Sequence, residues 1–447
     1  MTGRLGALLA SALLVLFTAS PLQAQSSPSG AVVFDNVRIF DGAALTEPMN
    51  VLVEGNKIAR ISAEPISTDA AATRIAGDGR TLMPGLIDAH WHTFMVRPSM
   101  MMASTAPFPF ITLLAGAEAE STLMRGFTSV RDLGGPAFGL KMAIDRGVMP
   151  GPRIWPSGAM ISQTGGHGDF RMLSDLPATP SVLSYPERMG MSAIVDSPDE
   201  VRKRTREQLL QGASQIKLTV SGGVSSPYGP IDTFQLSVDE IRAAVEAAAN
   251  WGTYVTVHAY TPEAIRNAIE AGAKVIDHGQ LADEDAVKLM AEKGTWWSLQ
   301  PFVGDENANQ HADPERQASA AEIHAGTDRA YELARKHGVK VAFGTDILFD
   351  AARAARQGSQ LETMTRWYTP AEVLKMATAD NAELLALSDR RNPYPGRLGV
   401  VEVGALADLL LVDGDPIAQI GLLADPAKNL LVIMKDGRIV KNTVVKD

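Results

Sequence analysis

At 447 residues the chain exceeds one ordinary domain and is long enough for a (β/α)8 barrel of about 250 residues plus a satellite domain. Hydrophobic residues make up 45% and charged residues 21%, which excludes a disordered chain, and a formal charge of −10 argues against nucleic acid or an anionic membrane as the main partner. With no cysteine, disulfides, thiolate metal ligands, a cysteine nucleophile and lipid attachment through cysteine are excluded.

In chain order, residues 1–24 read as a cleaved signal peptide. Arg4 gives a positive start, residues 5–17 are apolar, and Ser20-Pro21-Leu22-Gln23-Ala24 resembles a cleavage site. The apolar run is shorter than the roughly 20 residues a spanning helix needs, so the expectation is a periplasmic or secreted enzyme. Cleavage removes Arg4 and no acid, leaving a charge of −11. After a Ser/Gly linker at 25–30 come AVVFDNVRIFDG and VLVEGNKIARISA, short β-branched runs separated by turn residues. The C-terminus repeats this style in DLLLVDGDP and LLVIMKDGRIVKN, where Asp436-Gly437 signals a hairpin. The two ends are therefore expected to build one small β-sandwich domain, 31–83 plus 398–447.

The middle, 84–397, reads as alternating strands and helices. Capping boxes open helices at Ser197 to Glu200, Ser237 to Glu240 and Thr369 to Glu372. Strands fall at 85–90, 127–132, 153–157, 215–220, 253–258, 274–278, 295–299 and 340–346. Eight such units predict a closed parallel barrel, α/β in class. An open doubly wound sheet is the alternative, but no G-x-G-x-x-G follows a strand.

GLIDAHWH places His90 and His92 at the end of the first barrel strand. Residues i and i+2 of a strand point the same way, so both imidazoles can meet one ion. Lys217 lies in QIKLTV, His258 closes TYVTVHA, His278 closes KVIDHG and Asp346 closes KVAFGTD. Each falls at the C-terminal rim, where barrel enzymes keep their active sites. Singly, each is as readily a structural histidine, a solvated lysine or a helix-capping aspartate. Together the bland reading needs coincidences on five strands. A lysine beside metal cations has a lowered pKa, and the neutral amine can add carbon dioxide to give a bridging carbamate; pairing with a nearby acid is the plain alternative.

The set H-x-H, Lys, His, His, Asp on strands one, four, five, six and eight resembles the amidohydrolase superfamily with a binuclear metal centre. MPGLIDAHWH, RDLGG, GGHGD, IDHG and FGTD resemble its imidazolonepropionase-related, prolidase-like branch, which includes Xaa-Pro and other dipeptidases and ochratoxin-hydrolysing amidohydrolases. The resemblance implies His90 and His92 on the more buried metal and His258 and His278 on the other. It further implies carboxylated Lys217 bridging, Asp346 beside the nucleophile, and a homo-oligomer such as an octamer. All six positions carry the expected residue types.

Two dications acidify a shared water and polarise the substrate carbonyl, while Asp346 takes and returns the proton. Zinc suits imidazole and carboxylate oxygens, with manganese or cobalt as substitutes. His167, in TGGHGD, is expected to contact substrate and donate to a developing oxyanion, or else to make a structural hydrogen bond. Tyr228, in SSPYGP, could bind a substrate carboxylate or be ordinary loop chemistry. Residues 95–110, rich in Met, Pro and Phe, could line an apolar pocket or pack in the core. The expected substrate is a small-molecule amide: a dipeptide, an N-acyl amino acid or an aromatic acyl amide. A lactone or cyclic amide is the enzymatic alternative, and a catalytically silent scaffold the non-enzymatic one.

Overall fold

Eight short parallel strands, buried along their whole length, form a barrel. They run Leu86–Trp91, Phe127–Asp132, Arg153–Pro156, Ile216–Thr219, Val255–Ala259, Val275–His278, Trp296–Ser298 and Val341–Ala342. Helices cover the outside while side chains fill the inside, so the strands read as continuous apolar runs without a solvent face. Ala89 N donates to Phe343 O (3.0 Å) and Asp346 N to His90 O (2.9 Å), closing the eighth strand onto the first. The computed structural model describes residues 30–179, 182–226, 228–305, 308 and 313–444. The expected signal peptide lies outside the described residues.

The third strand departs from the expected single run at 153–157. It pairs with the second strand only as far as Pro156, bends at Gly158, and resumes as Met160–Ser162 against the fourth. Gly158 has φ +76, and a Cβ there would meet Gln208 Oε1 at 2.3 Å, so the bend requires glycine. A further short strand, Ser192–Ile194, pairs in parallel with Met160–Ser162.

Helix starts follow the capping chemistry. Val238–Trp251 has the reciprocal box between Ser237 and Glu240, and Pro370–Lys375 has the one between Thr369 and Glu372. Before Pro198–Gln211 the box is offset: Ser197 Oγ accepts from Glu200 N, whereas Glu200 Oε2 accepts from Asp196 N at 2.8 Å. Gly212 and Gly252 end these helices with left-handed φ of 100 and 74.

The termini build a β-sandwich. Its strands are Val32–Ile39, Met49–Glu54, Lys57–Ser62, Thr73–Ala76 and Thr81–Pro84 from the N-terminal part, and Leu409–Val412, Leu430–Lys435 and Arg438–Asn442 from the C-terminal part. The first strand carries three pairings: its start bonds Met49–Glu54 and Thr73–Ala76, its end Thr81–Pro84. Phe34, Val51, Ile75, Leu82, Leu409 and Val432 share one core. Asp436 and Gly437 have φ of 53 and 72, the paired left-handed geometry that the hairpin signal demands. Arg153 fastens sandwich to barrel, donating to both oxygens of Asp408 (2.9 and 3.1 Å) and to Asp436 (2.7 Å).

Candidate active site

The first strand delivers His90 and His92 to the C-terminal mouth. Their Nε2 atoms stand 3.5 and 3.3 Å from Asp346 Oδ1, supplied by the end of the eighth strand. His90, His92 and Asp346 offer ligand atoms that all lie within 4.8 Å of one another. The approach is tight: a Cβ on Gly344 would sit 2.6 Å from His90 Cβ. Asp88 joins the two strands from behind, accepting from His90 N (2.9 Å), Thr345 N (3.1 Å) and Thr345 Oγ1 (2.6 Å).

His278 Nδ1 lies 4.0 Å from Asp346 Oδ2, and its ring centroid is 4.8 Å from that of His90 and 4.5 Å from that of His258. His258 in turn stacks on His167 at 4.1 Å. Among the described residues, the five imidazoles thus form one continuous row, buried at His90, His92, His258 and His278 and half-buried at His167. His278 and Asp346 both hold left-handed backbone, φ 72 and 47, a conformation costing about 1–3 kcal/mol at a non-glycine residue and typical of functional sites. Trp297 Nε1 donates to His278 O at 2.5 Å and secures the first of these turns.

Lys217 is fully buried, and its ammonium donates to Asp277 Oδ2 at 2.6 Å. Asp277 also accepts from Arg131 (2.7 Å) and Thr256 (2.7 Å). The acid-paired alternative is therefore the state in this structure. His258 Nε2 is 2.9 Å from Gly222 O, so the second imidazole pair is less open to an ion than the first.

Burial governs the electrostatics. It holds His278 down to about 4 and His167 to about 3, and carries His90 and His258 well below the ordinary imidazole value. Lys217 is lowered by desolvation against the pull of Asp277. Asp346 is lowered because hydrogen bonding and charge from His92, His278 and Lys217 outweigh desolvation, whereas desolvation raises Asp88 to about 6. Neutral imidazoles with lone pairs and an ionised carboxylate are the protonation states a cation needs.

His167 sits at the site through its stack on His258; its backbone N donates to Gln235 Oε1 at 2.9 Å. Gly223 permits the packing, since a Cβ there would meet the His167 ring at 2.5 Å and the His258 ring at 3.0 Å. Tyr228 is turned elsewhere, its hydroxyl donating to Arg171 O at 3.1 Å. Tyr260, Pro301, Phe302, Ile323 and Arg353 line the cavity beside Asp346. Residues 95–110 take no part in those walls: Met95, Val96 and Ala103 pack in a core, while Met101 and Phe110 are exposed.

Sequence reading passed over Asp277, Arg131, Asp88 and Arg353. The first three lie inside motifs already quoted, IDHG, RDLGG and GLIDAH, and each is a charged residue within an expected barrel strand. That was the available signal.

A closed parallel barrel with histidines and an aspartate at its C-terminal mouth defines a class of barrel hydrolases. The chain belongs to the amidohydrolase family, whose profile matches residues 81–447. An ochratoxinase of Aspergillus niger is 32% identical over 375 residues, covering 80% of this chain and 75% of its own. A prolidase crystallised with N-methylphosphonate-L-proline is 35% identical with a TM-score of 0.85, covering 92% of this chain and 100% of that one. A Xaa-Pro dipeptidase with methionine bound in its active site is 30% identical with a TM-score of 0.79, covering 92% and 100%.

Proposed function

We propose that the chain is a binuclear metal-dependent hydrolase of the amide bond in dipeptides or N-acyl amino acids. Ochratoxin A, cleaved to ochratoxin alpha and phenylalanine, is the specific candidate. The ochratoxinase and dipeptidase relatives support the substrate class, and a Xaa-Pro or Xaa-Arg dipeptidase is the nearest variant.

The carrying observation is the set of buried atoms around Asp346 that lack partners. Asp346 Oδ1, His278 Nδ1 and His167 Nδ1 have no hydrogen bond among the described residues. Buried polar atoms are almost always satisfied, so a cluster of exceptions between imidazoles and a carboxylate fits a cation. His90, His92 and Asp346 would hold one ion, His258 and His278 a second, with carboxylated Lys217 between them. When bound, two ions such as zinc supply an acidified water and polarise the scissile carbonyl.

Asp346, kept ionised by its neighbours, takes the proton of the attacking water and passes it to the departing amine nitrogen. His167, neutral at ordinary pH, directs an N–H toward the oxygen that becomes anionic. Asp277, itself held by Arg131, accepts from Lys217 Nζ and positions that side chain. Tyr228 is a proposed contact only after its hydroxyl leaves Arg171 O. Export after residue 24 and homo-oligomer assembly belong to the same proposal.

Incubating the mature chain with a panel of dipeptides and N-acyl amino acids, ochratoxin A included, tests this. Amine release that stops with chelator and returns with zinc is expected. Cleavage of no member, by protein carrying no metal, would favour the silent scaffold; cleavage of lactones or cyclic amides alone would move the assignment to those bonds.

A further inference from the structure

We propose that the Tyr260 hydroxyl donates a hydrogen bond to the oxygen of the scissile carbonyl as that oxygen becomes anionic. The inference rests on the hydrolase reading above and adds a catalytic residue that the reading leaves out.

Tyr260 directly follows the fifth barrel strand, Val255–Ala259, and so stands at the mouth beside the histidines. Its ring stacks on His278 with centroids 5.1 Å and planes 23° apart, and meets His258 edge-on at 5.1 Å and 86°. His167 lies flat on that same His258 ring, 17° from parallel at 4.1 Å. One imidazole is therefore flanked by two side chains that each carry a proton donor. Two donors converging from different sides are what stabilises an oxygen on which charge develops.

Tyr260 is 2% exposed, packs with Ile231 and Ile323, and lines the cavity that Asp346 borders. Its backbone N donates to Ser221 Oγ at 2.9 Å, while its hydroxyl has no hydrogen-bond partner among the described residues. The other two buried tyrosines among those residues are satisfied. Tyr331 donates to Leu299 O at 2.6 Å, and the Tyr254 hydroxyl accepts from Arg131 at 3.4 Å. A buried phenol almost always finds a partner, and for Tyr260 the cavity is the place left to supply one. Packing against His278, Ile231 and Ile323 holds the ring, so the donor is already aimed when the reaction begins. In the step itself the water oxygen bonds to the carbonyl carbon and the C=O π pair moves onto its oxygen. The Tyr260 O–H steadies that pair without giving up its proton.

Tyr260→Phe deletes the hydroxyl and keeps the ring, so fold and metal content should match wild type. The metal-loaded full chain is assayed on the best-cleaved amide of the panel above. For Tyr260→Phe, kcat should fall by roughly 10²–10³, the usual cost of one oxyanion donor, with KM within about threefold. A phosphinate with tetrahedral anionic oxygens in place of the scissile carbonyl should bind the variant more weakly, by the same factor as kcat/KM falls. A tyrosine that only supports His278 would leave both readings at their wild-type values. Unchanged kcat, a rise in KM alone, or a fall in kcat with undiminished phosphinate affinity or with loss of metal overturns the donor. Each of those outcomes leaves the hydrolase reading intact, because wild type still turns over; wild type that cleaves no amide of the panel removes both.

Discussion

Asp346 is asked to do two things, and its surroundings separate them. Its Oδ1 stands 3.3–3.5 Å from the Nε2 atoms of His90 and His92, while the approach of His92 and the positive charge of Lys217 keep the whole group ionised. Asp346→Asn keeps the shape and loses the proton carrier. Turnover should fall by about 10²–10⁴ with most of the metal retained, and wild-type kcat in that variant would overturn its role. Lys217→Ala should abolish activity and lower metal content, with partial rescue by a small carboxylate; metal analysis beside turnover checks it. In the metal-free protein, His90, His167, His258 and His278 all have folded pKa values below their unfolded 6.5. Such groups stabilise the fold above the unfolded value, and that stability is lost as pH falls from 6.5 toward 4. Asp88, raised from 3.8 to about 6, and Asp132, also raised by burial, act oppositely in the same window, but they are two groups against four. Urea midpoints of the metal-free chain should therefore drop between pH 6.5 and 4, and a rise would contradict the buried, neutral histidine row.

Elements were more legible than their internal detail. A parallel strand buried on both faces is a short apolar run between turn signals, and all eight barrel strands were visible that way. The H-x-H pair could be aimed because strand periodicity is local. Asp277 and Arg131 could not: their meeting across the barrel depends on the stagger between non-adjacent strands, which no single strand carries. The offset cap at Asp196 and the break at Gly158 were hidden for a related reason, since each is decided by a neighbouring helix or strand. Gly344 shows how closely the elements are fitted. Gly344→Ala inserts a methyl 2.6 Å from His90 Cβ and 2.8 Å from His90 N. A loss of about 1–3 kcal/mol in unfolding free energy is expected, together with weaker metal binding. A variant matching wild type in both would mean that the first and eighth strands can part without consequence.

At the scale of the molecule, the histidine–aspartate cluster lies at one end of the barrel and the attached sandwich meets the start of the third strand. Arg153 and Asp408 are both buried at that junction, so Arg153→Met leaves a carboxylate without its cation. Unfolding free energy should fall by about 3–5 kcal/mol, measured by urea denaturation; a loss under 1 kcal/mol would show the junction to be incidental. The sandwich was foreseeable from strand-rich ends flanking a barrel, whereas the ion pair joining them spans 255 positions and left no local trace.

All of this turns on imidazoles and carboxylate-type oxygens converging to hold metal ions for catalysis. The direct measurement is elemental mass spectrometry of the purified wild-type chain alongside its turnover of an N-acyl amino acid. About two divalent ions per chain, with activity rising and falling in proportion to occupancy, is the predicted result. A fully active chain carrying less than one ion would contradict it.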